Sequence, residues 1–179
     1  TSDHGRDPAM NDSMEKIGQA LLAAMRAEHE GQHFYMMAAT TTQDPQGKEI
    51  FEQLAREELE HAHFLRDQYK SLTETGEVDA SRKLGKPLEL SGVSPIFSNA
   101  IRERLQDAQF EMTALAVAAQ LELDAQRFYN EQAQGTDDVA VKTFLFELAE
   151  WEAGHHRALT AQQDSRKEEY WAQSGFAPF

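Results

Sequence analysis

The chain repeats itself. Adding 94 to each residue number from Glu28 to Leu65 lays that stretch on Glu122 to Leu159 without a gap, and 13 of the 38 pairs are identical. They are Glu28/Glu122, Gln32/Gln126, Phe34/Phe128, Tyr35/Tyr129, Ala39/Ala133, Thr42/Thr136, Asp44/Asp138, Lys48/Lys142, Leu54/Leu148, Ala55/Ala149, Glu58/Glu152, His61/His155 and Leu65/Leu159. A repeat of this size predicts two similar helical hairpins facing each other across a pseudo-twofold axis.

Punctuation divides the chain accordingly. The first helix is expected from about Ser13 to Thr42, stopping before Asp44-Pro45, a cap followed by a first helical position. The second runs from about Pro45 to Glu74. Gly76, Gly85, Pro87, Gly92 and Pro95 then mark a long connection over about 75–94. Ser94-Pro95 opens a third helix to about Gln134, and Gly135-Thr136-Asp137 breaks the chain before a fourth helix to about Tyr170. Short, long and short connections predict an all-α four-helix bundle over 13–170, two antiparallel hairpins joined by one crossover. Residues 1–12 are set aside as disordered or cloning-derived, and 171–179 as an aromatic tail whose expected place is folded back on its own bundle.

Walking each helix by alternate fours and threes traces its buried seam. The first reads Ile17, Leu21, Ala24, Glu28, Gln32, Tyr35, Ala39, and the second Phe51, Leu54, Glu58, His61, Leu65, Gln68, Leu72. The third reads Ile101, Leu105, Ala108, Met112, Leu115, Ala119, Glu122, Gln126, Tyr129, and the fourth Val141, Leu145, Leu148, Glu152, His155, Leu159. Each apolar stripe is thus interrupted by Glu, and two also by His three residues on. An isolated buried carboxylate costs several kcal/mol, so it must be paired, protonated or metal-bound. Four carboxylates cannot be neutralised by two histidines, whereas two divalent cations would balance them. Glu at i with His at i+3 puts an oxygen and a nitrogen on one helical face. The simplest arrangement gives each metal one His and one terminal Glu, with the other two Glu bridging. The expected metal ligands are Glu28, Glu58, His61, Glu122, Glu152 and His155.

Glu-x-x-His alone is a weak signal, because it also occurs at Glu30/His33 and Glu60/His63. The Glu60/His63 pair lies about 200° around the helix from Glu58/His61 and cannot face the same core. Glu30/His33 has Asp124/Arg127 as its repeat mate, which reads as surface. His29, His33, His63 and His156 are expected in solvent, Trp151 in packing, and Met36 and Met37 as core or interface filler. Tyr35 and Tyr129, two turns beyond Glu28 and Glu122, are candidates for hydrogen bonds to ligand carboxylates or for redox chemistry. Core packing with a satisfied hydroxyl stands beside that reading. Gln32 and Gln126 are weaker candidates for the same surroundings.

Composition narrows the partners. With 17 basic and 31 acidic side chains the net charge is −14, which repels phosphate backbones and argues against nucleic acid. With no cysteine, thiolate zinc sites, iron–sulfur clusters and four-thiolate iron are excluded within this chain, so a metal must bind through oxygen and nitrogen. No apolar run approaches the roughly 20 residues that span a membrane. A cytoplasmic location is expected.

The motifs EHEGQHFY over Glu28–Tyr35 and KEIFEQLAREELEHAHFL over Lys48–Leu65, with their counterparts Glu122–Tyr129 and Lys142–Leu159, resemble the rubrerythrin branch of the ferritin-like superfamily. The resemblance covers about Ser13 to Gln163 and implies a ferritin-like diiron bundle. The family's ligands fall on the six residues reached from the seams. Two departures stand out. Rubrerythrins proper carry a rubredoxin-like iron domain, which a chain without cysteine cannot form, and they have a further Glu where Ala125 stands here. That Glu supports a ligand exchange tied to peroxide reduction, and the six-residue set is closer to that of bacterioferritin. Ala125 and its mate Gly31 are both small and are expected to leave space beside the metals for dioxygen or peroxide.

The resemblance implies an oxidoreductase of peroxidase or ferroxidase type. Two iron ions would react with dioxygen or hydrogen peroxide and draw electrons from an external donor, in a homodimer serving oxidative-stress defence or iron homeostasis. Manganese or zinc could occupy the same oxygen and nitrogen donors. The alternatives are a non-catalytic iron-binding or storage protein and a structural bundle with an incidental site.

Overall fold

A computed structural model of the chain describes residues 8–43, 45–85 and 105–173. Four helices follow in order, α1 (Pro8–Thr41), α2 (Pro45–Thr75), α3 (Leu105–Gln134) and α4 (Val139–Gln173). α1 packs along α2 and α3 along α4, while α1 and α3 meet sparsely. The protein is an all-α four-helix bundle. No helix among the described residues is long and apolar enough to cross a membrane. The Ser94-Pro95 cap, the start of the expected third helix and the seam residue Ile101 lie outside the described residues. So do residues 1–7 and 174–179, and the side chains of Leu105 and Ala108.

Helix ends follow local chemistry. α1 begins at Pro8, ahead of the expected Ser13, and proline suits a first turn whose amide would have no partner. At its far end the Thr40 and Thr41 hydroxyls both donate to the Met37 carbonyl, competing with the helical ladder just before the break. α2 ends at Gly76, whose φ of 86° closes the last turn with its amide on the Leu72 carbonyl at 2.9 Å. α4 is capped by Asp138, whose carboxylate accepts from the Val141 amide at 3.0 Å.

The seam glutamine Gln68 holds the start of the crossover. It is fully buried, and its amide donates to the Asp79 carbonyl at 3.0 Å while accepting from the Asp79 amide at 2.8 Å. Val78, beside it, is drawn into the core.

The interior is split into two apolar layers. One gathers Ala38, Phe51, Leu54, Ala114, Leu115, Ala118 and Leu159. The other gathers Leu21, Phe64, Leu65, Phe144, Leu145 and Leu148. The helix register that builds these layers places the interrupting Glu and His between them. Met36 and Met37 do not join the core: they are 43% and 60% exposed in the single chain. Leu148→Ala should lower unfolding free energy by about 2–5 kcal/mol in urea denaturation, since Leu148 is fully buried in the second layer.

Candidate metal centre

Each helix delivers its seam glutamate to one place. Glu28 from α1, Glu58 from α2, Glu122 from α3 and Glu152 from α4 are all buried, together with His61 and His155. Their donor atoms form two overlapping quartets, each with all four atoms within 4.8 Å of one another. One is Glu28, Glu58, His61 and Glu152; the other is Glu58, Glu122, Glu152 and His155. Glu58 and Glu152 belong to both, while each quartet keeps one histidine and one glutamate of its own. The two imidazoles lie nearly parallel, 6.3 Å apart between centroids.

The electrostatics of this cluster are unfavourable without a cation. Burial, reinforced by Glu152, Glu28 and Glu122, pushes the Glu58 carboxyl well above its ordinary range. Burial and Glu152 push Glu122 up to about 8. Burial would lower His61, but Glu28 and Glu152 outweigh it and raise the imidazole to about 10. His155 is likewise raised well above its ordinary value, burial being overcome by Glu122, Glu152 and Glu57. Glu152 goes the other way: burial would raise it, but His61 and His155 hold it well below the usual carboxylate range. Glu152, in contact with both imidazoles, takes the negative charge that Glu58 and Glu122 give up.

Hydrogen bonding leaves the same atoms wanting. Among the described residues, Glu58 Oε1, both oxygens of Glu152, His61 Nε2 and His155 Nδ1 are buried without a hydrogen-bond partner. A buried polar group left unpaired costs about 1–3 kcal/mol, and five in one cluster exceed what an ordinary core tolerates. Carboxylate oxygens turned toward an imidazole nitrogen whose proton a cation can displace are a donor set for hard or borderline divalent cations. The residues present fit a metal site.

The tyrosines support the cluster crosswise. Tyr35 on α1 donates to Glu122 Oε1 on α3, and Tyr129 on α3 donates to Glu28 Oε1 on α1. Both hydroxyls are held well above their ordinary pKa, first by burial and then by the carboxylate each one meets. The ligand carboxylate that each tyrosine meets belongs to the other hairpin. Gln32 and Gln126 are half-buried, and neither amide reaches the cluster among the described contacts.

The small residue Gly31 is where Glu58 approaches α1. A Cβ at Gly31 would lie 3.1 Å from Glu58 Oε2 and 3.3 Å from its Cδ, so the room expected beside Gly31 is filled by the ligand itself. Open space remains nearby, in a cavity of about 330 Å³ between α1 and α3 whose wall includes Glu28, Glu58, Glu122, Tyr35 and Ala125. His29, His33 and His63 are exposed and His156 half-buried, all outside both quartets. Trp151 meets His61 in a T-shaped ring contact at 4.8 Å between centroids.

Glu57 escaped the sequence reading. It is buried, and its Oε2 lies 2.9 Å from His155 Nε2. It stands one residue off the seam and its repeat mate is Trp151, so neither test selected it. The doubled acid Glu57-Glu58 was the available signal.

Fold and site together define a helical bundle built around a buried carboxylate–histidine metal site. The rubrerythrin family model matches residues 19–161, and the chain belongs to the rubrerythrin family. It matches no curated protein and no solved structure at a significant level.

Two outcomes follow from this geometry. Glu122 and His61 bind protons more tightly folded than unfolded, so their contribution to stability is full below about 4.5 and 6.5 and is lost as pH rises through about 8 and about 10. Thermal unfolding of metal-free protein should therefore show Tm falling between about pH 6 and about pH 10; a flat profile contradicts this electrostatic picture. Tyr35→Phe removes the donor to Glu122 and should cost about 1–3 kcal/mol in urea denaturation of the metal-free chain.

Proposed function

We infer that this chain is a dinuclear iron oxidoreductase that oxidises Fe(II) with dioxygen or hydrogen peroxide. The observation carrying this reading is the pair of quartets that share Glu58 and Glu152. Two cations held side by side in them would each keep one histidine and one terminal glutamate. Iron held at both quartets would supply the two electrons that reduce the oxidant without release of a radical.

The protein's own groups are arranged for such a small substrate. The cavity between α1 and α3 reaches Glu28, Glu58 and Glu122 from one side, and Ala125 leaves it open where a longer side chain would fill it. The apolar layers above and below keep bulk water from the carboxylates. Tyr35 and Tyr129 fix Glu122 and Glu28 by donating to one oxygen of each, leaving the second oxygen for a cation. Electrons to restore Fe(II) come from an external donor.

Anaerobic loading followed by metal analysis should give about two iron ions per chain, the stoichiometry of a carboxylate-bridged pair. In stopped-flow mixing, the iron-loaded protein should consume peroxide or dioxygen within seconds. Glu58→Ala/Glu152→Ala, which removes both shared carboxylates, should bind less than one ion and lose that reaction. Loading far above two ions per chain would favour storage. Demonstrably bound iron that stays Fe(II) in oxidant would refute the catalytic reading.

A further inference from the structure

The repeat breaks at one pair beside the cluster. Position 57 is Glu, and its mate 94 residues on is Trp151. The consequence falls on the two histidines. Glu57 reaches from α2 to α4 and accepts from His155 Nε2 at 2.9 Å. An ionised carboxylate can only accept, so the Nε2 proton is fixed there. His155 Nδ1 then faces Glu58 at 3.9 Å and Glu122 and Glu152 at 3.6 Å, making no hydrogen bond to any of them. Once a cation displaces the proton on Nδ1, that nitrogen's lone pair faces the second quartet with the Nε2 proton still held by Glu57.

His61 also turns Nδ1 to its own quartet, 3.2 Å from Glu28 Oε2 and 3.1 Å from Glu152 Oε1, but its buried Nε2 has no hydrogen-bond partner among the described residues. At the position matching Glu57 stands Trp151, whose ring meets the His61 imidazole in a T-shaped contact. With Nδ1 given to a cation, His61 must carry its remaining proton on Nε2, for which no acceptor stands among the described residues. The other donors are matched by the repeat, Glu28 by Glu122 and the shared Glu58 by the shared Glu152, so they do not offset the difference.

We propose that Glu57 is a positioning residue that makes the two halves of the centre unequal. The quartet of Glu58, Glu122, Glu152 and His155 takes a divalent cation first and more tightly than the quartet of Glu28, Glu58, His61 and Glu152. The proposal rests on the metal-centre reading of the cluster. Partners that orient a ligating histidine are typically worth about 10–100-fold in metal affinity, which sets the size of the difference.

Cobalt(II) is a suitable probe, titrated without oxygen into the metal-free full-length chain and followed by its visible absorption. Two steps separated by at least about tenfold in affinity are expected. Glu57→Ala should weaken the first step by about 10–100-fold and leave the second in place. Glu57→Gln, whose amide oxygen still accepts from Nε2, should weaken the first step less than Glu57→Ala does. Thermal unfolding of the metal-free variants separates orientation from general damage, since a loss confined to one step at near-native Tm is not a folding defect. A single step that fills both sites in the unmodified protein overturns the proposal without recourse to any variant. Equal weakening of both steps by Glu57→Ala overturns it as well. If the unmodified protein shows no cobalt bands at all, the metal-centre reading itself fails and this proposal falls with it.

Discussion

Four carboxylates and two imidazoles are enclosed between apolar layers, and the rest of the bundle answers to the free energy of keeping them there. Desolvation pushes Glu58 and Glu122 toward their neutral forms and leaves Glu152 charged between two imidazoles. A protein gains nothing in stability from such an arrangement relative to an oily core of the same shape. Its retention at matched positions of both hairpins therefore speaks for ligand chemistry rather than for folding. The tyrosine hydroxyls, the bare Cα of Gly31 and the side cavity all make sense as fittings around that enclosed charge.

Much of this was legible in the residues because two periodicities agree. The 3.6-residue seam puts Glu58 and His61 inward, while the same spacing shifted by two turns Glu60 and His63 out, and the structure has the former buried and the latter exposed. The 94-residue repeat then separates Glu152/His155 from Glu30/His33. Contacts between helices were not legible in the same way. Spacing along α1 places Tyr35 on the face of Glu28 but says nothing of how α3 sits opposite, so the crosswise bonds to Glu122 and Glu28 emerge only in three dimensions. Glu57 was hidden for the opposite reason: the repeat filter assumes that both halves are alike, and this position is where they differ. Met36 and Met37 look like core residues by type, but their azimuth on α1 turns them outward.

Departure from symmetry is itself informative. The duplicated scaffold brings matched donors to two overlapping quartets, and the chain then treats the two histidines unequally through Glu57 and Trp151. The open side is equally particular. The cavity lies along the sparse α1–α3 contact and reaches three of the four carboxylates, so it enters the centre from the glutamate side and leaves His61 and His155 behind them.

The crosswise bonding has a consequence for how the molecule comes together. Contacts within each hairpin are dense and short-range in sequence, so α1–α2 and α3–α4 can each zip locally and early. The polar ties between the hairpins pass through the centre: Tyr35 to Glu122, Tyr129 to Glu28, His61 to Glu152 and His155 to Glu57. Joining the halves therefore closes the two apolar layers and builds the centre together. A cation arriving during synthesis would act as a rivet between two half-finished pieces, favouring the closed bundle over any state in which the hairpins have drifted apart.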